Sequence, residues 1–169
     1  MCKKLMILVM VLFLSSTCVW AVDIGGGINM PDTLKAGNSS LVFNGAGFRK
    51  KFGLKVYGVA LYLKAKSADG SALVKGDEPM ALRMTWKMNI PASKIDETYY
   101  ESFADVLKAP KQDQYTAKSN YGPMTKDVVT FMGWIDKKEA SKNNSFIYIY
   151  TPGKGTEVHL VDGGKDQLM

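Results

Sequence analysis

Arg49 and Tyr57 are the residues of this chain best suited to hold an oxygen anion. They lie eight residues apart in the run Leu41 to Leu63, LVFNGAGFRKKFGLKVYGVALYL. A guanidinium presents a planar fork of donors that matches a carboxylate, enolate or phenolate oxygen. A phenol can donate a hydrogen bond to that same oxygen. Gly45 and Gly47, just ahead of Arg49, read as a glycine-rich turn where backbone and ligand approach closely. In a continuous strand the even spacing would put both side chains on one sheet face, but Gly53 interrupts the register. Val59, Leu61 and Trp86 are the candidates for an apolar wall around such a site, with Met84, Met88, Tyr148 and Tyr150 as minor ones. Tyr62 has the opposite parity to Tyr57 and is read as packing.

Other chemistries lack their residues. The cysteines are Cys2 and Cys18, both near the N-terminus, and His159 is the single histidine. A thiolate nucleophile, a structural disulfide or a cysteine–histidine metal site therefore has no basis in the body of the chain, and no metal or cofactor is expected. No GxSxG, P-loop or dinucleotide fingerprint occurs, and Gly25–Gly27 read as a flexible start rather than a phosphate cradle. The formal net charge of +6 is thinly spread, densest at Lys50 and Lys51. It suits an anionic ligand or contact with a membrane surface, but offers no basic stripe for nucleic acid.

The elements that must position these residues follow from periodicity. Lys3 and Lys4 precede the apolar run Leu5 to Leu14 and a small-residue stretch ending at Ala21. That layout predicts a signal peptide over residues 1–21, a single domain over 22–169 and a periplasmic or secreted location. A lipoprotein anchor through Cys18 fits less well. Leu41–Asn44 reads as a short strand stopping at Gly45, Leu54–Leu63 as a strand covered on both faces, and Ala68–Gly76 as a polar loop. Over Met80–Met88 the methionines, Leu82 and Trp86 alternate with Ala81, Arg83, Thr85 and Lys87. This predicts one core-facing and one wetter side. Ile95, Tyr99, Phe103, Val106 and Leu107 recur at helical period, as do Met124, Val128, Phe131, Met132 and Ile135 in a helix over about 123–136. Strands return at Phe146–Thr151 and Thr156–Val161 around a Pro-Gly-Lys-Gly turn, and a polar tail follows. Strands, two helices, then strands imply an α+β domain, a curved antiparallel sheet packed against helices.

The segments LVFNGAGFRKKFGLKVYGVALYLKAKSADG and FIYIYTPGKGTEV together resemble the exported bacterial branch of the chalcone isomerase-like proteins. The resemblance covers Ile24 to Val161. It implies the open-faced β-sandwich of that superfamily, with a cleft between sheet and helices. Its members divide into plant enzymes that cyclise chalcones and non-catalytic proteins that bind fatty acids. Arg49 falls on the arginine that faces the ligand in both. Tyr57 falls near a position that is threonine in the enzymes and tyrosine in the fatty-acid binders. The enzymes' helical tyrosine and asparagine have only Tyr99 and Asn120 in their general region, outside the motif. The family also continues past the hairpin into a strand and a C-terminal helix, which this chain is expected to lack.

Three functions are thus in view. The first is monomeric, non-catalytic binding of a fatty acid or similar amphipathic anion by Arg49 and Tyr57, with Val59, Leu61 and Trp86 around the tail. The second is a cofactor-independent isomerase in which Arg49 and Tyr57 stabilise an enolate. The third is an envelope protein that works through a surface contact.

Overall fold

The computed structural model describes residues 21–107, 126–135 and 138–168. Seven antiparallel strands form one curved sheet in the order β3-β4-β5-β6-β7-β8-β9. They are β3 (Thr33–Ala36), β4 (Ser39–Lys51), β5 (Leu54–Leu63), β6 (Met80–Trp86), β7 (Ser145–Thr151), β8 (Gly155–Asp162) and β9 (Lys165–Leu168). A separate hairpin, β1 (Ala21–Asp23) with β2 (Asn29–Pro31), packs on one side of the sheet. The helices are α1 (Gly70–Lys75), α2 (Ala92–Leu107) and α3 (Lys126–Ile135). The last two pack on the other side through Ile95, Ile135 and Phe131. This is the α+β arrangement of sheet and helices expected from the order of periodicities, and the open-faced sandwich that the family resemblance implies.

Each sheet face has its own core. On the hairpin face, Ala60, Tyr62 and Ala81 are buried against Ile28, Met30, Ala36 and Leu41. Tyr62 is fully buried and donates its hydroxyl hydrogen bond to the Pro31 carbonyl at 2.9 Å. On the helix face, Trp86 and Phe146 pack against Ile95, Ile135 and Ala140. The expectation for β6 is therefore reversed in part. The side read as wetter carries the buried Ala81 and Thr85, whereas Leu82, on the side read as core, is 42% exposed. Alternation identifies two faces but not which one the rest of the chain covers better.

Strand β4 is much longer than Leu41–Asn44. Asn44 is an extra residue between the pairs Phe43↔Tyr62 and Gly45↔Leu61. The bulge is held because the Asn44 amide bonds both the backbone N–H and the carbonyl of Ser67. Pairing then continues through Gly45 and Gly47 to Lys51. The turn lies further on, at Phe52 and Gly53, where φ is 51° and 80°, the left-handed pair that a two-residue hairpin requires. Asp69 caps α1 by accepting from the Ala72 N–H at 2.9 Å, turning part of the expected loop into helix. Gly25–Gly27, all at positive φ, close the β1–β2 hairpin. The expected polar tail instead forms β9, paired with β8. The helix over 123–136 is described as α3, with residues 123–125 and 136 outside the described residues.

Candidate functional site

Arg49, Tyr57 and Trp86 form one cross-strand row, Arg49↔Tyr57 on β4–β5 and Tyr57↔Trp86 on β5–β6. Directly opposed residues share a sheet face, so all three lie on the helix face. The sequence spacing gave the right face for a different reason: Arg49 and Tyr57 are neighbours across the hairpin, not along one strand. Arg49 is exposed and Tyr57 half-buried. The Tyr57 and Trp86 rings meet edge to face with centroids 5.1 Å apart, and Trp86 meets Phe146 the same way at 5.7 Å.

The next two rows form a shallow apolar floor. One is Gly47–Val59–Met84–Phe146, the other Gly45–Leu61–Leu82–Tyr148. Val59 and Leu61 are half-buried. A Cβ added at either Gly45 or Gly47 would meet nothing within 4 Å. Among the described residues, the two glycines therefore leave the β4 edge of this face bare. Among the described residues the result is a shallow open strip, or trough, with Arg49 at one end and the helix-packed aromatics along its inner side. Tyr150 lies on the same face but further away, where its hydroxyl bonds Asp77. An apolar recess of about 340 Å³ beneath α1, between Leu63, Leu73, Pro79 and Met80, begins at the next row on the same face.

Polar groups are sparse along the inner side. The Trp86 indole N–H is buried and finds no acceptor among the described residues. Such an orphaned donor is costly unless something accepts from it. Tyr99 from α2 and Tyr148 from β7 hydrogen-bond through their hydroxyls. Phe131 packs against both, at 5.6 and 6.0 Å between ring centroids. Burial pushes the Tyr99 phenol up to about 12, partly offset by the bond from Tyr148. Burial first, then the nearby Tyr99, drives the Tyr148 phenol well above the usual value. Both are neutral near pH 7, hydrogen-bond donors rather than bases. Asn120 lies outside the described residues. Tyr99 had no motif in the sequence; its helical stripe pointed inward, and its partner on β7 is visible only in the fold. His159 sits on the hairpin face at β8, with Nδ1 2.9 Å from Asp166 Oδ1, away from the trough.

A chalcone isomerase-like family model matches residues 22–168. A comparison with curated proteins finds no match. Among solved structures, the crystal structure of a fatty-acid binding protein from Arabidopsis thaliana superposes with a TM-score of 0.58 at 16% identity. It covers 89% of this chain and 82% of that one. This likeness corrects the expected location. The matched protein is a plant fatty-acid binding protein rather than a periplasmic one, and the periplasmic or secreted assignment is withdrawn. A ten-residue apolar run such as Leu5–Leu14 fits a buried or interfacial segment as well as a signal core, and residues 1–20 lie outside the described residues. The family match likewise does not single out an exported bacterial branch. Most of the chain, from Val22 to Leu168, fits a single family model, and the sheet and helices have the matching architecture: the chain belongs to the chalcone isomerase-like family.

Proposed function

We propose that the protein binds a fatty acid or similar amphipathic anion in the trough on the helix face. Arg49 and Tyr57 hold the head group, and Val59, Leu61 and Trp86 line the tail. The observation that carries this reading is the row Arg49–Tyr57–Trp86, which sets a cation, a phenol and an indole side by side at the end of an apolar strip. Burying hydrocarbon supplies about 0.8 kcal/mol per methylene, so the strip provides affinity while the row provides orientation. The name of the Arabidopsis thaliana protein gives the same ligand class independent support. The neutral Tyr99–Tyr148 pair favours hydrogen bonding over proton abstraction.

Mass spectrometry of small molecules extracted from the purified protein tests the reading. A long-chain carboxylate is expected, present at lower occupancy in Gly47→Val. Recovery of a neutral, polar molecule at equal occupancy in both proteins would contradict it.

A further inference from the structure

The β4–β5 hairpin ends in an apolar tip ringed by positive charge. Phe52 is 94% exposed and Leu54 61%. Phe52 occupies a left-handed position, φ 51°, where Asn, Asp or Gly would be the sterically natural choice. Its ring has no described aromatic partner, and only the Lys51 ammonium lies over it, 5.9 Å from the centroid. The fold therefore gains little from an aromatic side chain there. Around it stand Arg49, Lys50, Lys51 and Lys55, none in an ion pair among the described residues. Lys50 and Lys55 are register partners, and like charges placed directly opposite destabilise a strand pair. Arg49 lies on the helix face, while Lys55 reaches the other side, its ammonium 4.1 Å from the Phe48 ring. Residues 33–68 contain Lys35, Arg49, Lys50, Lys51, Lys55, Lys64 and Lys66 but no aspartate or glutamate.

We infer that this tip docks the protein on an anionic lipid bilayer, with Phe52 and Leu54 entering the headgroup boundary and the cations resting on lipid phosphates. The shape decides against a protein partner. One two-residue turn exposes far less apolar area than the roughly 800 Å² per side of a stable protein interface. Shallow insertion needs only a few apolar side chains backed by charge. Each basic residue near an anionic leaflet strengthens partitioning about fivefold, and the surface relieves the Lys50–Lys55 repulsion. The tip adjoins the Arg49 end of the trough, so docking would bring the proposed head-group site to the lipid surface. The docking inference does not depend on that ligand reading, and the variants below leave Arg49 and Tyr57 unchanged, so either can fail alone.

The test is co-sedimentation of the full chain with phosphatidylcholine vesicles, with and without phosphatidylglycerol. Every variant retains residues 1–20, so differences report on the tip. Wild type should prefer the anionic vesicles and release as salt is raised. Lys50→Gln with Lys51→Gln should weaken anionic-vesicle binding by roughly 25-fold, and Phe52→Ser by roughly tenfold. Phe52→Trp should gain fluorescence quenched by brominated lipid, with wild type as the blank for Trp20, Trp86 and Trp134. Circular dichroism confirms that the variants fold. Equal binding of all variants, equal binding to neutral vesicles, or an unquenched Trp at position 52 would overturn the inference. So would a concentration-dependent dimer lost in Phe52→Ser, which would assign the tip to a second copy of the chain.

Discussion

Gly58 and Gly47 lie on neighbouring strands of one sheet, yet a methyl group would meet opposite receptions at the two positions. At Gly58 it would lie 2.8 Å from Ile24 Cδ1 and 3.0 Å from Ile28 Cδ1; at Gly47 it would touch nothing within 4 Å. The first faces the N-terminal hairpin, the second the trough. Around Gly58 the hairpin face is tightly packed, and the nearby Tyr62 hydroxyl bonds the Pro31 carbonyl. On the helix face, among the described residues, α2 and α3 cover Trp86 and Phe146, and beyond them lie Leu82 and two bare glycines. Among the described residues the first face is closed around Gly58 and the second open around Gly47, and the proposed binding site rests on that difference.

The contrast is broken most forcefully by cutting into the closed side. Met30→Ala removes a fully buried side chain and should cost about 2–5 kcal/mol in chemical denaturation. Leu82→Ala, at 42% exposure, should cost under about 1 kcal/mol. Comparable losses would show that the helix face is core after all.

Gly58→Ala should cost about 1–3 kcal/mol by overpacking against Ile24 and Ile28. Tyr148→Phe should cost a similar 1–3 kcal/mol, because it leaves the buried Tyr99 hydroxyl unpaired, whereas Tyr99→Phe with Tyr148→Phe should recover much of the loss. A double variant worse than the sum of the singles would mean that the hydroxyls serve some other partner.

Tyrosine ionisation samples both faces at once. Tyr62 on the hairpin face and Tyr99 on the helix face are each pushed up to about 12, in both cases chiefly by burial. A raised folded-state pKa gives stability that is complete below the unfolded value near 10 and is lost as pH rises toward 12. Stability should therefore fall over that window, less steeply in Tyr62→Phe, as read by denaturation at fixed pH. A flat profile would mean that these phenols reach solvent. The smallest effect on stability belongs to Gly47→Val, expected within about 0.5 kcal/mol of wild type because the space is open and Val favours a strand. Its consequence should appear in ligand occupancy.

The sequence carried the architecture and the identity of the row better than its geometry. Helical and strand periods located β5 to β8, α2 and much of α3, because each buries a face at its own repeat. Gly45 and Gly47 suggested a turn because glycine commonly marks one. Pairing across Asn44 kept them in a strand instead, and that pairing depends on Ser67, 23 residues away. Phe52 at the actual turn carried no turn signal. The β1–β2 hairpin and β9 were read as loose ends because such short strands, set off by glycine turns at 25–27 and 163–164, gain their order from the sheet or core they join. The Tyr99–Tyr148 contact was equally hidden, since nothing local links residues 49 positions apart.

In the proposed site Arg49 recognises charge at the end of an apolar trough. The most direct test is to titrate a long-chain fatty acid and its methyl ester into wild type and Arg49→Ala. A hydrogen bond to a charged partner contributes about 1.5–3 kcal/mol, so affinity for the acid should fall at least tenfold in the variant while the ester is little affected. Equal losses for acid and ester would contradict the anchor role of Arg49.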